Sequence, residues 1–442
     1  MKNGIYFILY FVLILEINSN FLRFLDETNP FDYSTIKANV TNKNLEGGQY
    51  TATNSDQSIA YITDSNILIN GSRLYKSGAS SNLNNSEFYG VNSAILVNGG
   101  NANVDRSTII TSSEGSNGVT CTNKGSIRLS RSHINNNSSF SRGLLSTYGG
   151  SIIANNISIS TSGRSSACLA NDKGEGSISC TYCIFLTNGV GSPFIDSTGD
   201  IKVYCWFGTS HNSQIAVIEG KNSISITGDS NVRASGNGGM NDSCAVLIYQ
   251  SQPGDPNVDR STFNCEESYL SIMPNSSVYS TAPFFYVTNT KTNITINRCR
   301  MSFGSGTFLK ASKNSRWGTL GKNGADVILN LINQNIEGDF VVDSDSELTI
   351  NMKNSTIKGK INNNRAASEL KIVLDSDSRI DLTGNSYYSS ISNEDKSGSN
   401  INNDSYSLSY YDDTINPVRD SSLILKNNLY KIFILLFLEI LF

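Results

Sequence analysis

Any chemistry on this chain would start from very few groups. Its 442 residues contain two histidines, His133 in "SRSHINN" and His211 in "GTSHNSQ". Neither has a pair of aspartates in its local sequence, so neither reads as the base that activates a nucleophile. The acids best placed for proton transfer are Asp172 and Glu175 in "NDKGEGS" (171–177) and Glu219 in "VIEGKNS" (217–223). Cleavage of a glycosidic bond needs two carboxylates held at a set separation. Here they would have to be assembled from distant segments, and their glycine-flanked settings read as solvated turns. The one Asp-Asp pair, Asp412–Asp413, sits in a polar tract near the C-terminus.

Eight cysteines stand at 121, 168, 180, 183, 205, 244, 265 and 299. An even number suits disulfides if the chain is secreted. The repeat described below turns Cys121, Cys180, Cys183 and Cys299 inward, with Cys121 equivalent to Leu96. A buried unpaired thiol behaves as a small hydrophobe, which is the expectation for these four. Cys180 and Cys183 form a Cys-x-x-Cys, but no helical pattern follows and no second pair exists. Thiol exchange and zinc are therefore poorly supported, and no metal or cofactor is expected. The net charge is −4 with no basic run, which argues against nucleic acid.

Eleven Asn-x-Ser/Thr sequons are candidate glycosylation sites: Asn39, Asn70, Asn84, Asn136, Asn137, Asn156, Asn241, Asn275, Asn293, Asn354 and Asn403. They would be used in a eukaryotic host wherever the side chain faces out. Both ends of the chain are apolar. Lys2, the run Ile5–Leu15 and the small polar residues after it have the order of a signal peptide, residues 1–19. At the other end, Asp420, Ser421 and Ser422 precede a spacer and the apolar tail Ile432–Phe442. That order suits lipid attachment at Asp420 or Ser421 by a glycosylphosphatidylinositol signal. Leu423, Ile424 and Leu425 in the spacer and Glu439 in the tail depart from it. A terminal capping helix or a short anchor is the alternative reading of 423–442.

What lies between must position these groups, and it is repetitive. In "STYGGSIIANNISISTSG" (146–163), Ile152 and Ala154 alternate, as do Ile157 and Ile159. Each pair is a short strand with one inward face. Asn155 and Asn156 break the phase between them, so the chain must bend there to keep both pairs inside. Asn tolerates the left-handed backbone of such a bend. The scheme recurs at Ala102, Val104, Ser107 and Ile109, and again at Ile127, Leu129, Ser132 and Ile134. It continues at Ile178, Cys180, Cys183 and Phe185; at Ile294, Ile296, Cys299 and Met301; and at Ile350, Met352, Ser355 and Ile357. A further strand precedes each block, as in "SAILVNGG" (93–100) and "GLLSTYGG" (143–150).

Strand, turn, strand, corner, strand in about 22 to 26 residues is one coil of a parallel β-helix. A single coil cannot bury its own apolar face, which is why the phrase repeats. The fold expected is all-β, a single-stranded right-handed parallel β-helix of about twelve coils with hydrophobic terminal segments. The coils would run over 45–385, with a cap at 20–44 and an irregular last coil and polar linker at 386–422. Ile127, Ile152, Ile178, Ile201 and Ile224 are expected to stack in one interior column.

The segments "GVNSAILVNGG", "SQIAVIEGKNSISITGDS" and "PFFYVTNTKTNITIN" resemble the right-handed β-helix repeat proteins of the pectin-lyase-like superfamily, above all its secreted, adhesin-like members. The resemblance covers roughly 45–385. It implies the fold strongly and a function weakly, because this architecture hosts enzymes, adhesins and passive surface proteins. Polygalacturonate hydrolases of this fold carry clustered aspartates with a Gly-His and an Arg-x-Lys, and this chain has no such set. The expectation is a secreted, surface-displayed structural or adhesive rod, not an enzyme, with glycans or cell-wall polymers as partners. It would be a monomer that meets a membrane only through its tail or a lipid. A polysaccharide-active hydrolase or lyase is the alternative, and carboxylates stacked in one groove would favour it.

Overall fold

The two apolar pairs of 152–159 form the strands Ser151–Asn155 and Ser158–Thr161, with Ile152, Ala154, Ile157 and Ile159 buried. Between them Asn156 adopts φ 53°, and Arg106 and Arg131 adopt φ 46° at the same point of the two preceding repeats. The left-handed residue turns the chain and returns both pairs to the interior, as the alternation required. The structure is a computed structural model that describes residues 29–239, 242–251, 259–402 and 405–411. The 1–19 segment, Asn241, Asn403, Asp420, Ser421 and the 423–442 tail lie outside the described residues.

The described chain is nearly all β, with long parallel sheets compatible with a parallel β-helix, and it divides into two compact units, Met1–Ser179 and Cys180–Phe442. In the first unit one parallel sheet is built from Lys37–Thr41, Gln57–Ile62, Ile95–Asn98, Val119–Thr122, Leu144–Ser146 and Leu169–Asn171. A second run joins Leu45–Glu46, Ile67–Asn70, Asn101–Asp105, Ser126–Ser130 and Ser151–Asn155. A third joins Gln49–Ala52, Arg73–Lys76, Thr108–Thr111, His133–Asn136 and Ser158–Thr161. Each strand pairs with the strand one repeat away. Ala102, Ile127 and Ile152 are in register, as the predicted column requires.

The second unit repeats the plan. One sheet joins Ile195–Ser197, Ala216–Glu219, Val246–Tyr249, Phe285–Thr288, Thr307–Ala311 and Asp339–Val342. The facing run continues from Asp200–Ser210, where Ile201 pairs with Ile224, to Ser390–Asn393. Phe284, Phe285, Phe308 and Phe340 are fully buried, with Phe308 and Phe340 centroids 5.4 Å apart. Among the described residues, parallel pairing includes Lys37–Thr41 in the first unit and, in the second, Leu408–Tyr410, which pairs with Ser386–Tyr388. Regular coil pairing therefore reaches into the stretches read from the sequence as a cap and an irregular last coil.

The abundant serine and asparagine has an interior use. At the corners the backbone N–H groups turn away from the ladder, and serines of the next coil accept from them. The N–H of Ser72 donates to Ser107 Oγ at 3.2 Å and that of Ser107 to Ser132 Oγ at 3.1 Å. Ser116, Ser141 and Ser166 form a second such ladder at 3.2 and 3.1 Å. Ala52, Lys76, Thr111, Asn136 and Thr161 are in register in a column that is polar from Lys76 onward. Three of its side chains hold the following turn: Lys76 Nζ donates to the Gly78 carbonyl, Thr161 Oγ1 to the Ser166 carbonyl, and Asn136 to two carbonyls. Asn136 Nδ2 donates to the carbonyls of Ser141 (3.2 Å) and Arg142 (2.6 Å).

Two cysteine expectations are corrected. Cys299 does face inward, but it is disulfide-bonded to Cys265 rather than an unpaired thiol. Adjacent coils bring the two Cα atoms to 6.5 Å despite a sequence separation of 34. Cys121 aligns with Val97, not Leu96. Cys180 and Cys183 are buried, as read.

Candidate functional site

In the first unit's first sheet Ile95–Val97, Val119–Thr122 and Leu144–Ser146 are buried at consecutive positions, as are Val246–Ile248 and Phe285–Thr288 in that of the second, so something covers the outer face there. In the first unit part of that cover is the short helix Leu83–Tyr89, capped by Asn82, whose side chain accepts from the N–H groups of Asn84 and Asn85. Phe31 stacks on Tyr89 at 5.1 Å, and Tyr89 on Tyr148 at 5.9 Å. Tyr33 donates its hydroxyl to the Tyr89 carbonyl at 2.9 Å. Burial pushes the Tyr33 phenol up to about 12.

Asp172 belongs to this region, and its expected setting is corrected. It is half-buried rather than fully solvated, and burial pushes its carboxyl up to about 6. Its neighbour's N–H, Arg142 and Lys173 pull it back, and Glu87 raises it further. Arg142, itself nearly buried, pairs with Glu87 at 2.7 Å, and Lys173 lies over the Phe88 ring at 5.4 Å. The Arg142 guanidinium thus pairs with Glu87 and lowers the Asp172 carboxyl by its charge where the helix meets the sheet. This arrangement fastens the helix, and it leaves a carboxyl that exchanges its proton near pH 6. Glu175 is exposed, as a turn residue should be.

In the second unit the loop 313–324 lies over the first sheet. Trp317 packs at a tilt on Tyr249, ring centroids 4.3 Å apart, and joins the buried cluster of Val217, Leu247 and Tyr286. Arg316 lies over the Trp317 ring at 4.5 Å and forms an ion pair with the buried Asp242. Glu219 is again not a freely solvated acid. One carboxylate oxygen accepts from Tyr249 Oη at 3.0 Å and the other from Ser251 Oγ. Burial, then Glu219 and Asp196, push the Tyr249 phenol far up. Trp317 as a roof was not legible in "KNSRWGTLGKNGAD", because nothing local names the sheet residues it meets.

His133 faces outward, with Nδ1 2.6 Å from Ser158 Oγ, and His211 is exposed at a bend. Burial raises the Cys121 and Cys205 thiols to about 12 and raises that of Cys244 as well, so all three are protonated and unreactive near neutral pH. Among the described residues no group of three or more His, Cys, Asp or Glu is placed to hold a metal ion. Among them, too, no helix is long and apolar enough to cross a membrane.

Comparison with known proteins finds no matching family model, no matching curated protein and no matching solved structure. The functional reading therefore rests on this chain's own residues.

Of the sequons, Asn39, Asn84, Asn137, Asn156, Asn275 and Asn354 are exposed, and Asn70 and Asn293 are partly covered. Asn136 is corrected: it is 0 % exposed and its amide is spent on two carbonyls, so the folded chain offers no glycan site there. Sequence reasoning passed over Tyr182, Tyr204 and Trp206. The signal was present, since Tyr182 occupies the corner position held by Asn156 one repeat earlier.

Proposed function

We propose that the chain is a secreted, surface-displayed right-handed parallel β-helix of the pectin-lyase-like type, working as a structural or adhesive rod that binds glycans. The observation that carries this reading is the Cys265–Cys299 disulfide, set inside repeated parallel pairing. Structural disulfides persist in oxidising compartments, which agrees with a signal peptide at 1–19. Six exposed sequons on an exterior of serine, threonine and asparagine support the same route. The chain acts as a monomer, and its membrane contact is the C-terminal tail or a lipid at Asp420 or Ser421.

The test is to express the full chain in a eukaryotic host and follow it to the cell surface. Treatment with a phosphatidylinositol-specific phospholipase should release it. The released protein, screened on glycan arrays and on cells, should bind at least one glycan. Retention inside the cell, or an intact C-terminal peptide on the membrane after lipase, contradicts the corresponding part. Absence of any glycan or cell binding would reduce the rod to a passive coat component.

A second reading, a polysaccharide-active enzyme, draws on Asp196 and Glu219, which both act on Tyr249 from neighbouring strands. Release of sugars from a pectic polymer, abolished by Glu219→Gln, would establish it.

A further inference from the structure

Within the second unit one stretch of the exterior departs from the polar surface. Tyr182 and Ile184 on Ser177–Thr187, and Tyr204 and Trp206 on Asp200–Ser210, all project outward. Tyr182 is 43 % exposed and Trp206 57 %. The Tyr182 ring centroid lies 4.8 Å from that of Tyr204 and 6.0 Å from that of Trp206. These rings are held in place. Gly228 lies against Tyr204, and a Cβ there would stand 3.2 Å from the ring, so only glycine leaves the ring where it is. Tyr182 itself sits at φ 55°, a conformation that is sterically costly for an aromatic residue. The same corner is taken elsewhere in this unit by Glu267, Arg298, Asn333 and Asn354, all of them polar. A strained aromatic kept at an exposed corner points to use rather than to packing.

The residue after Gly228 opens a groove of about 890 Å³ lined by Asp229, Asn231, Glu267, Tyr269, Arg298 and Arg300. Its charges are largely balanced from within, since Arg298 pairs with Glu267 at 2.6 Å. Beside the aromatic strip, Lys202 pairs with Asp200 at 2.9 Å. The surface therefore offers flat rings and hydrogen-bonding groups without a net field to draw an acidic polymer. The apolar part is only four side chains wide with polar residues on both sides, too narrow for the desolvated core of a protein interface.

We infer that Tyr182, Tyr204 and Trp206, with the adjoining groove, bind a neutral, linear glycan whose sugar rings pack on the exposed faces of these side chains, the Tyr204 and Trp206 rings being tilted 56° and 58° to that of Tyr182. This deepens the adhesive reading and rests on it. Sugar C–H faces stack on the rings, while hydroxyls meet Asp229, Asn231 and Glu267.

The probes are hexasaccharides of β-1,4-linked glucose and β-1,4-linked N-acetylglucosamine, with an oligogalacturonate of equal length as the acidic comparison. The full secreted chain is titrated by calorimetry and by intrinsic fluorescence, which here reports two tryptophans, exposed Trp206 and covered Trp317. A neutral hexasaccharide should bind and shift the emission. Trp206→Ala and Tyr182→Ala should each weaken binding about tenfold or more, as loss of an aromatic anchor does. Leu320→Ser, at another exposed apolar residue, should leave binding unchanged. Wild-type binding undiminished in both aromatic variants would overturn the strip while the adhesive reading stands. Preference for the oligogalacturonate would overturn the neutral class. Cell binding lost on protease treatment of the cells but kept after deglycosylation would assign a protein partner instead. Binding to no glycan and no cell would remove the adhesive reading and this site together.

Discussion

Replacing Asn136 should separate interior asparagine from exterior asparagine more sharply than any other single change. Asn136 and Asn137 are neighbours, both in sequons, yet one is enclosed and the other exposed. Asn136→Ala deletes the donors to Ser141 O and Arg142 O. The Arg142 carbonyl keeps the Gly118 N–H at 2.9 Å, so the loss falls mainly on Ser141. A buried carbonyl left unmet costs about 1–3 kcal/mol. Asn136 Oδ1 has no partner in the fold, and removing it returns part of that cost, so a net loss of about 2 kcal/mol is expected. Asn136→Asp is worse: it presents a carboxylate to two carbonyls in a dry column, and about 4 kcal/mol or more should be lost. Asn137→Asp should stay within about 0.5 kcal/mol of wild type, as an exposed substitution does. Urea unfolding followed by circular dichroism on the whole chain reads the order wild type ≈ Asn137→Asp > Asn136→Ala > Asn136→Asp. Equal midpoints for the two aspartate variants, or a glycan on Asn136 of folded protein by mass spectrometry, would refute the reasoning.

Ile152→Asp should cost several kcal/mol, about 4 or more, because its column is dry, whereas Asn156→Asp at the corner should cost less than about 1 kcal/mol; similar melting losses would contradict the inward register. Asp172 holds its proton more tightly folded than unfolded, about 6 against 3.8, so the wild type should lose stability as pH rises from about 4 to 6 and level off above. Asp172→Asn should escape that loss, gaining about 1–3 kcal/mol on wild type at pH 7.5 relative to pH 4, and an unchanged gap between those pH values in paired denaturation curves would exclude a raised Asp172. Cys265→Ser opens a loop of sequence separation 34 and should destabilise by about 2–4 kcal/mol, with no further loss on adding reductant; equal melting temperatures under oxidising conditions would argue against the bond.

Much of this was legible in the sequence wherever the physics is local. Alternation at period two, broken by Asn155–Asn156, dictates strands with a corner, because any other path would expose Ile152 or Ile159 to water. The spacing of 25 residues between Ile127 and Ile152 then dictates parallel stacking, since equivalent apolar faces must meet. Parity puts Asn136 inside, two residues beyond Ile134, although its sequon reads as a glycan site. Only the coiled chain supplied the carbonyls that make an interior asparagine tolerable. The tertiary structure alone decided that Asp172 is half-buried near Arg142 and Glu87, because Glu87 arrives on a helix from a distant coil. It alone paired Cys265 with Cys299 and set Trp317 on Tyr249. Those contacts depend on which coils become neighbours and how far an inserted loop reaches. A residue's own surroundings in sequence carry the period of the backbone, but they do not carry the identity of what lies across the space it faces.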